Sequence, residues 1–108
     1  MKKINIVELL YFSECASWKE AEKLLQEVLK ELKINIDILM INVKSNREAL
    51  KYLFQGSPRI RVNNKDLFPV NHKNYTLCCR VFTTPLGFKG LPTKEMISER
   101  LVKLICEN

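Results

Sequence analysis

The residues of this chain best suited to chemistry are its 4 cysteines, and Cys15 has the most informative position. It stands between an apolar run and the start of a helical pattern, where the positive end of a helix can favour a reactive thiolate. The residue three positions later is Trp18, so the motif is Cys-x-x-Trp and lacks the second thiol of a Cys-x-x-Cys motif. The neighbouring Glu14 and Glu20 oppose a thiolate through their negative charge. Cys15 is therefore either a nucleophile without a local partner or an unreactive thiol.

A second pair of cysteines offers Cys15 a distant partner. Cys78 and Cys79 are adjacent in a predicted strand, so their side chains should point to opposite faces. Cys79 could resolve an adduct on Cys15 or join it in binding a soft metal ion, and both residues could equally serve as small apolar residues of the strand. Cys106, near the end of the sequence, is expected to be a packing residue. We therefore treat Cys15 and Cys79 as the candidate catalytic residues.

Other familiar site chemistries find no support in the sequence. His72 is the single histidine of the sequence and lies in a predicted loop. The spacing of the residues therefore supports no Cys-His dyad, no Ser-His-Asp constellation and no metal cluster. The sequence has no glycine-rich phosphate loop, and no motif indicates a cofactor. Arg80, directly after Cys79, could stabilise an anion or could be a surface residue of its strand.

The composition is that of a globular chain with one hydrophobic core, and a single domain over residues 1–108 is predicted. The 18 basic and 12 acidic residues give a net charge of +6, but the lysines are spread along the chain, so we expect no nucleic-acid partner. No apolar stretch is long enough for a membrane span, and Asn5 and Glu8 interrupt the run after Met1-Lys2-Lys3 that could imitate a signal peptide. We therefore expect a cytoplasmic protein with reduced thiols, whose oligomeric state stays open.

Hydrophobic periodicity predicts four strands and three helices. The strands are predicted over Ile4–Phe12, Ile36–Val43, Arg59–Val62 and Tyr75–Thr84. The helices are predicted over about residues 17–32, 46–54 and 93–105. Ser17 and Glu20 have the spacing of a capping box at the first helix, and Ser45 or Asn46 is expected to cap the second. Residues 63–66 and 85–90 are predicted to be turns.

The predicted order β-α-β-α-β-β-α belongs to the α/β class. The first β-α-β segment should be a parallel, right-handed unit. The last two strands are close enough in sequence to pair in an antiparallel manner. We therefore predict a four-stranded mixed sheet with helices on both faces.

This element order, together with Cys15 and Ser57-Pro58, resembles the thioredoxin fold. Proteins of that fold have a cysteine directly after the first strand and a cis-proline before the third strand, facing the active thiol. Cys15 and Pro58 stand at these two positions, and the terminal β-β-α segment is the third similarity. The resemblance implies a thioredoxin-like α/β fold with a cis Ser57–Pro58 bond.

Four segments are also similar to a family of small thioredoxin-like proteins, some of which are named alongside alkylmercury lyase. The pattern of that family runs Cys-Pro-x-Trp, Gly-Ser-Pro-x-Ile-x-Val, Cys-Arg-x-aromatic and Gly-x-Pro. The corresponding segments here are Cys15–Trp18, Gly56–Val62, Cys79–Phe82 and Gly90–Pro92, with Ala16 in place of the expected proline. The similarity covers nearly the whole chain.

The resemblance implies one of two functions. In the first, the protein is a monothiol thiol–disulfide oxidoreductase or redox protein with a protein or small-molecule thiol or disulfide as its partner. Cys15 would attack a disulfide or an electrophile, and an external thiol or Cys79 would resolve the adduct. In the second, the chain is a non-catalytic binding module for a peptide or for a thiophilic metal ion.

Four residues are expected to contact the substrate of the first function: Trp18, Ser57, Pro58 and Arg80. The Ser57 backbone would align an extended substrate as an added strand. Trp18 would shelter Cys15 or contact a ligand, unless it only packs the first turn of its helix into the core.

Overall fold

The computed structural model describes residues 3–106, and Met1 and Lys2 of the signal-like start lie outside the described residues. Within this range the chain forms three helices, none of which is long and apolar enough to cross a membrane. The helices are α1 (Trp18–Glu31), α2 (Asn46–Lys51) and α3 (Lys94–Cys106). The strands are β1 (Val7–Tyr11), β2 (Ile38–Asn42), β3 (Arg59–Val62), β4 (Lys65–Asp66), β5 (Phe82–Thr84) and β6 (Gly87–Lys89).

Four of these strands form one mixed sheet in the order β2-β1-β3-β4. The two strands of the predicted β-α-β unit, β1 and β2, are parallel, with Val7 opposite Ile38. Strand β3 is antiparallel to β1, with Val62 opposite Val7, and β4 is antiparallel to β3. The predicted α/β class and the four-stranded mixed sheet are therefore confirmed.

The prediction of which residues form the fourth strand of this sheet was wrong. The edge position beside β3 belongs to β4, which was predicted to be part of a turn. Of the predicted strand Tyr75–Thr84, the Phe82–Thr84 part forms a separate two-stranded hairpin with β6. The cause lies at Asn63 and Asn64, whose φ angles are 53° and 67°. Two residues with positive φ reverse the chain in the tightest hairpin connection, so β3 pairs with the residues that follow directly.

Two apolar clusters pack against opposite faces of the sheet. Leu9 and Leu10 are both fully buried and are adjacent on β1, so their side chains point to opposite faces. Helices α1 and α3 pack on the Leu9 face, and α2 packs on the Leu10 face. The helix residues buried in the first cluster are Leu25, Val28, Leu29, Ile97 and Leu101, and the second cluster adds Val43, Ala49 and Phe54. The central strand is thereby enclosed on both sides, which gives the sequence that follows it a rigid base.

The helix starts differ from each other in their capping. Ser17 precedes α1 with φ −95° and ψ −9°, and its side chain makes no capping hydrogen bond, so the predicted capping box is not formed. Ser45 precedes α2 in an extended conformation, and its hydroxyl accepts the N–H of Glu48 at 3.1 Å. The extended backbone at Ser45 is the geometry in which a serine oxygen can reach the first turn, whereas the helical backbone at Ser17 is not.

Candidate functional site

Cys15 lies in a turn between β1 and α1, with its N–H donating to the carbonyl of Phe12 at 2.9 Å. Helix α1 begins at Trp18, so Cys15 precedes the helix instead of occupying its first turn. Its side chain is buried, with 4% of its surface exposed, and its thiol donates to the carbonyl of Ser57 at 3.5 Å. The thiol is therefore enclosed and directed towards the chain that enters β3.

Ser57 is the residue that connects the parts of this site. It is fully buried, its hydroxyl accepts the N–H of Phe12 at 3.1 Å, and the peptide bond that joins it to Pro58 is cis. Its own N–H donates to the carbonyl of Cys78 at 2.8 Å, and its carbonyl accepts the N–H of Arg80 at 3.0 Å. Ser57 therefore holds the end of β1 on one side and residues 78–80 on the other.

The backbone of Ser57 does pair with an extended segment, but that segment belongs to the chain itself. Cys79 forms a parallel bridge with Ser57, between the two hydrogen bonds made by its neighbours in sequence. The N–H and carbonyl that we expected to align a substrate are thus already bonded. A substrate strand could pair at Ser57 only after residues 78–80 had left it.

This bridge places Cys79 next to Ser57, whose carbonyl also accepts the Cys15 thiol. Interaction with Cys15, mainly by hydrogen bonding, raises the pKa of Cys79 to about 11, and desolvation by burial adds to the shift. Cys79 is nonetheless exposed to solvent, in contrast to buried Cys15. The site is therefore a pair of thiols from distant parts of the sequence, one reachable from outside and the other enclosed.

The other two cysteines, Cys78 and Cys106, do not belong to this thiol pair. Cys78 is half-buried and enters the site through its carbonyl, which accepts the Ser57 N–H. Cys106 is exposed at the end of α3. No group of three or more His, Cys, Asp or Glu side chains within residues 3–106 could hold a metal ion. A soft metal ion held by two thiols therefore stays a prediction.

Trp18 is the first residue of α1 and is half-buried. Its ring stacks on Tyr11, with ring centres 4.1 Å apart and planes inclined by 23°, and its indole N–H donates to the carbonyl of Ser13 at 3.3 Å. These contacts fix the turn that contains Cys15 from its outer side. The indole therefore holds the loop before the helix, outside the main core cluster.

Arg80 is half-buried, and its guanidinium carbon lies 4.1 Å from the ring centre of Phe82. Burial lowers the pKa of Arg80 and nearby Arg59 adds to this, whereas Asp66 raises the pKa. The Arg80 Nε is buried and has no hydrogen-bond partner within the described residues. A cation with an unused buried donor is a candidate for binding an anion, one of the two roles that its position in the sequence left open.

Gly56 belongs to the site, although the sequence indicated only that it begins the Gly-Ser-Pro-x-Ile-x-Val segment. Its φ is 120°, and a Cβ at this position would lie 2.8 Å from the Cβ of Arg80 and 3.3 Å from its Cα and backbone N. The absence of a side chain is therefore what lets residues 78–80 approach Ser57. The glycine directly before Ser57-Pro58 was the available indication, because a side-chain-free residue often marks close approach of a second backbone.

The site thus consists of the buried Cys15 thiol, the exposed Cys79 thiol and Arg80, arranged around Ser57. No protein-family model, curated protein or solved structure matches this chain.

Proposed function

We propose that this chain is a thiol–disulfide redox protein of thioredoxin-like architecture in which Cys15 and Cys79 form the reacting pair. The observation that carries the proposal is that Ser57 meets both residues: its carbonyl accepts the Cys15 thiol, and its backbone forms the bridge with Cys79. The neighbouring Cys15 raises the pKa of Cys79 to about 11. The sheet order, with a cysteine after β1 and Ser57–Pro58 before β3, supports the thioredoxin-like assignment. Cys79 takes the part of the second thiol that Cys-x-x-Trp lacks.

The exposure of the two thiols decides the order of the reaction. An incoming disulfide R–S–S–R reaches exposed Cys79 more readily than buried Cys15. The Cys79 thiolate attacks one sulfur, an S–S bond forms between Cys79 and R, and RS⁻ leaves and takes up the proton that Cys79 lost. The Cys15 thiol then gives up its proton and attacks the Cys79 sulfur, and the second RS⁻ departs and is protonated. The protein is oxidised to a Cys15–Cys79 disulfide, and R–S–S–R is reduced to two R–SH.

The raised pKa of Cys79 sets the speed of the first step. At pH 7, well below this pKa, only a small fraction of Cys79 is a thiolate, and the thiolate is the attacking form. We therefore expect slow exchange at neutral pH that accelerates as the pH rises. Once the mixed disulfide has formed, Cys15 lies beside the sulfur that it must attack, so resolution needs no further encounter.

The experiment is oxidation of the reduced protein with excess oxidised glutathione, followed by intact-mass measurement and peptide mapping under non-reducing conditions. We expect a mass loss of about 2 Da, the mass of two hydrogen atoms, and a cross-link between Cys15 and Cys79. The Cys79→Ser variant should stop at a mixed disulfide or remain reduced. The Cys78→Ser variant is the matched control and should form the same cross-link, because serine keeps the backbone carbonyl that accepts the Ser57 N–H and the Cys78 side chain is the smallest cause of the Cys79 pKa shift. A Cys78–Cys79 cross-link, or no intramolecular cross-link in the parent protein, would overturn the proposal.

A further inference from the structure

A second feature lies on the Arg80 side of residues 78–80, outside the thiol pair. There an open cavity of about 300 Å³ is lined by two arginines and by apolar side chains. Its lining includes Arg80, Arg100, Phe68, Phe82 and Met96. A volume of this size lies at the lower end of the range for small-molecule sites. The cavity therefore has room for a small ligand in a positively charged setting.

The two arginines are held in place by aromatic rings and keep donors unused. The guanidinium carbon of Arg80 lies 4.1 Å from the ring centre of Phe82, and that of Arg100 lies 5.1 Å from the ring centre of Phe68. The two rings meet edge to face, with centres 5.6 Å apart. Arg100 donates to a backbone carbonyl at 3.1 Å, and the Arg80 Nε has no partner within residues 3–106. Ring stacking fixes the positions of both guanidinium groups but does not neutralise them.

The charge of these arginines is only partly balanced by the protein around them. No acidic residue lines the cavity, and neither arginine forms an ion pair within the described part of the chain. Asp66 is the acid whose charge acts on Arg80, but its Oδ2 is already held by Arg59 at 2.9 Å. Arg80 and Arg100 thus face one cavity, and the nearby carboxylate of Asp66 is also paired with a third arginine, Arg59.

We propose that this cavity binds a small oxyanion, a phosphate or an organic carboxylate, between Arg80 and Arg100. Oxyanions accept paired hydrogen bonds from the planar guanidinium group, which matches the donors left unused here. This site is independent of the thiol chemistry, because it uses neither sulfur.

The test is a titration of the reduced protein, residues 1–108, with inorganic phosphate and, separately, with propionate, both against chloride at equal ionic strength. The readout is the ¹⁵N–¹H resonance of the arginine Nε–H groups, which reports on each guanidinium directly. We expect a saturable shift of the Arg80 and Arg100 resonances in at least one arm, and the arm that saturates identifies the class of oxyanion. Constant ionic strength removes the general screening effect of added salt.

Two variants decide whether the binding belongs to this cavity. Arg100 is exposed, so Arg100→Gln should fold normally and weaken binding by about fivefold or more through loss of charged hydrogen bonds. Arg47→Gln removes an exposed positive charge on α2, away from the cavity lining, and should leave the affinity within about twofold. The proposal is overturned if phosphate and propionate shift the arginine resonances no more than chloride does. It is also overturned if Arg100→Gln and Arg47→Gln bind the anion with equal affinity. Arg80→Gln is a further check if it folds, with the same expected loss.

Discussion

The two thiols differ most in what surrounds each sulfur. Cys15 is enclosed and bonded to the carbonyl of Ser57, whereas Cys79 is exposed but has a pKa raised to about 11. Exposure thus favours attack by Cys79, whereas its raised pKa opposes it. Because the largest cause of the raised pKa is Cys15 itself, the residue that would resolve the mixed disulfide in the proposed reaction is also the one that disfavours the Cys79 thiolate.

Removal of Cys15 should therefore make Cys79 more reactive. In Cys15→Ala, the hydrogen bond and the charge interaction that raise the Cys79 pKa are lost, so the pKa falls and more thiolate is present at pH 8. We expect alkylation of Cys79 by iodoacetamide to be about tenfold faster at pH 8 than in the parent, because the thiolate is the reacting form. The parent rate should rise about tenfold per pH unit and level off near pH 11. Mass spectrometry of the Cys79 peptide measures both rates.

The comparison is cleanest in a Cys78→Ser background, because the tryptic peptide that ends at Arg80 then contains one thiol. Charge interaction with Cys78 is the smallest cause of the Cys79 shift, so this background should change the pKa little. A Cys106→Ser change in the same background serves as the control and should leave the Cys79 rate unaltered. An unchanged or slower rate in Cys15→Ala would show that Cys15 does not raise the Cys79 pKa.

Among the structural elements, the approach of residues 78–80 to Ser57 depends on Gly56. In Gly56→Ala the new Cβ would meet the Cβ and the backbone of Arg80, and φ of 120° would strain the residue itself. We expect a loss of unfolding free energy of roughly 2–5 kcal/mol, the sum of backbone strain and overpacking. Displacement of Arg80 would also move Cys79 from Cys15, so its alkylation at pH 8 should become faster. Urea unfolding and the alkylation assay measure the two effects.

Gly87 provides the matched control for this substitution. Its φ is 104°, but a Cβ there would meet no atom within 4 Å. Gly87→Ala should therefore lose only about 1–2 kcal/mol from backbone strain and leave Cys79 alkylation unchanged. Equal losses in the two variants, with no change at Cys79, would mean that close approach to Arg80 is not the reason for a glycine at position 56.

The elements also show what periodicity alone can predict. Strands β1, β2 and β3 and the helical stripe of α1 were predicted because alternation and helical spacing are local properties of the sequence. The edge strand was not, because the choice of partner for β3 depends on the backbone reversal at Asn63-Asn64 and not on strand propensity. Tyr75–Thr84 has the composition of a strand, but its residues meet the sheet region through the bridge of Cys79 with Ser57 and through the packing of Phe82 and Leu77 into the two core clusters, not through a strand ladder.

The site was predictable to a similar extent. The position of Cys15 after β1 and its nearness to Ser57 followed from the motifs, and Cys79 was one of several suggested partners. The burial of one thiol and the exposure of the other could not be predicted, because both depend on how residues 78–80 lie against Ser57. The cavity beside Arg80 was missed for the same reason, since Arg100 reaches it from α3 across a large separation in sequence.

At the scale of the whole molecule, the thiol pair joins two regions that the sheet does not connect. Cys15 follows the central strand β1, which is buried on both faces. Cys79 belongs to the long connection between β4 and the separate β5–β6 hairpin. In the reduced protein this connection meets Ser57 through two backbone hydrogen bonds, at Cys78 and Arg80. A covalent bond between the thiols would add a constraint that also persists in the unfolded chain.

Oxidation should therefore stabilise the protein, provided that the proposed Cys15–Cys79 disulfide forms without displacing Ser57. A cross-link between residues 15 and 79 closes a long loop and so reduces the entropy of the unfolded chain. The expected gain is about 3–5 kcal/mol in unfolding free energy. Urea unfolding of the oxidised and the reduced protein measures the difference, with the cross-link verified by peptide mapping. Cys79→Ser, treated with the same oxidant, should change by less than about 0.5 kcal/mol. A verified cross-link with unchanged or lower stability would mean that the two sulfurs can join only by distorting the native arrangement around Ser57, which would offset the entropic gain.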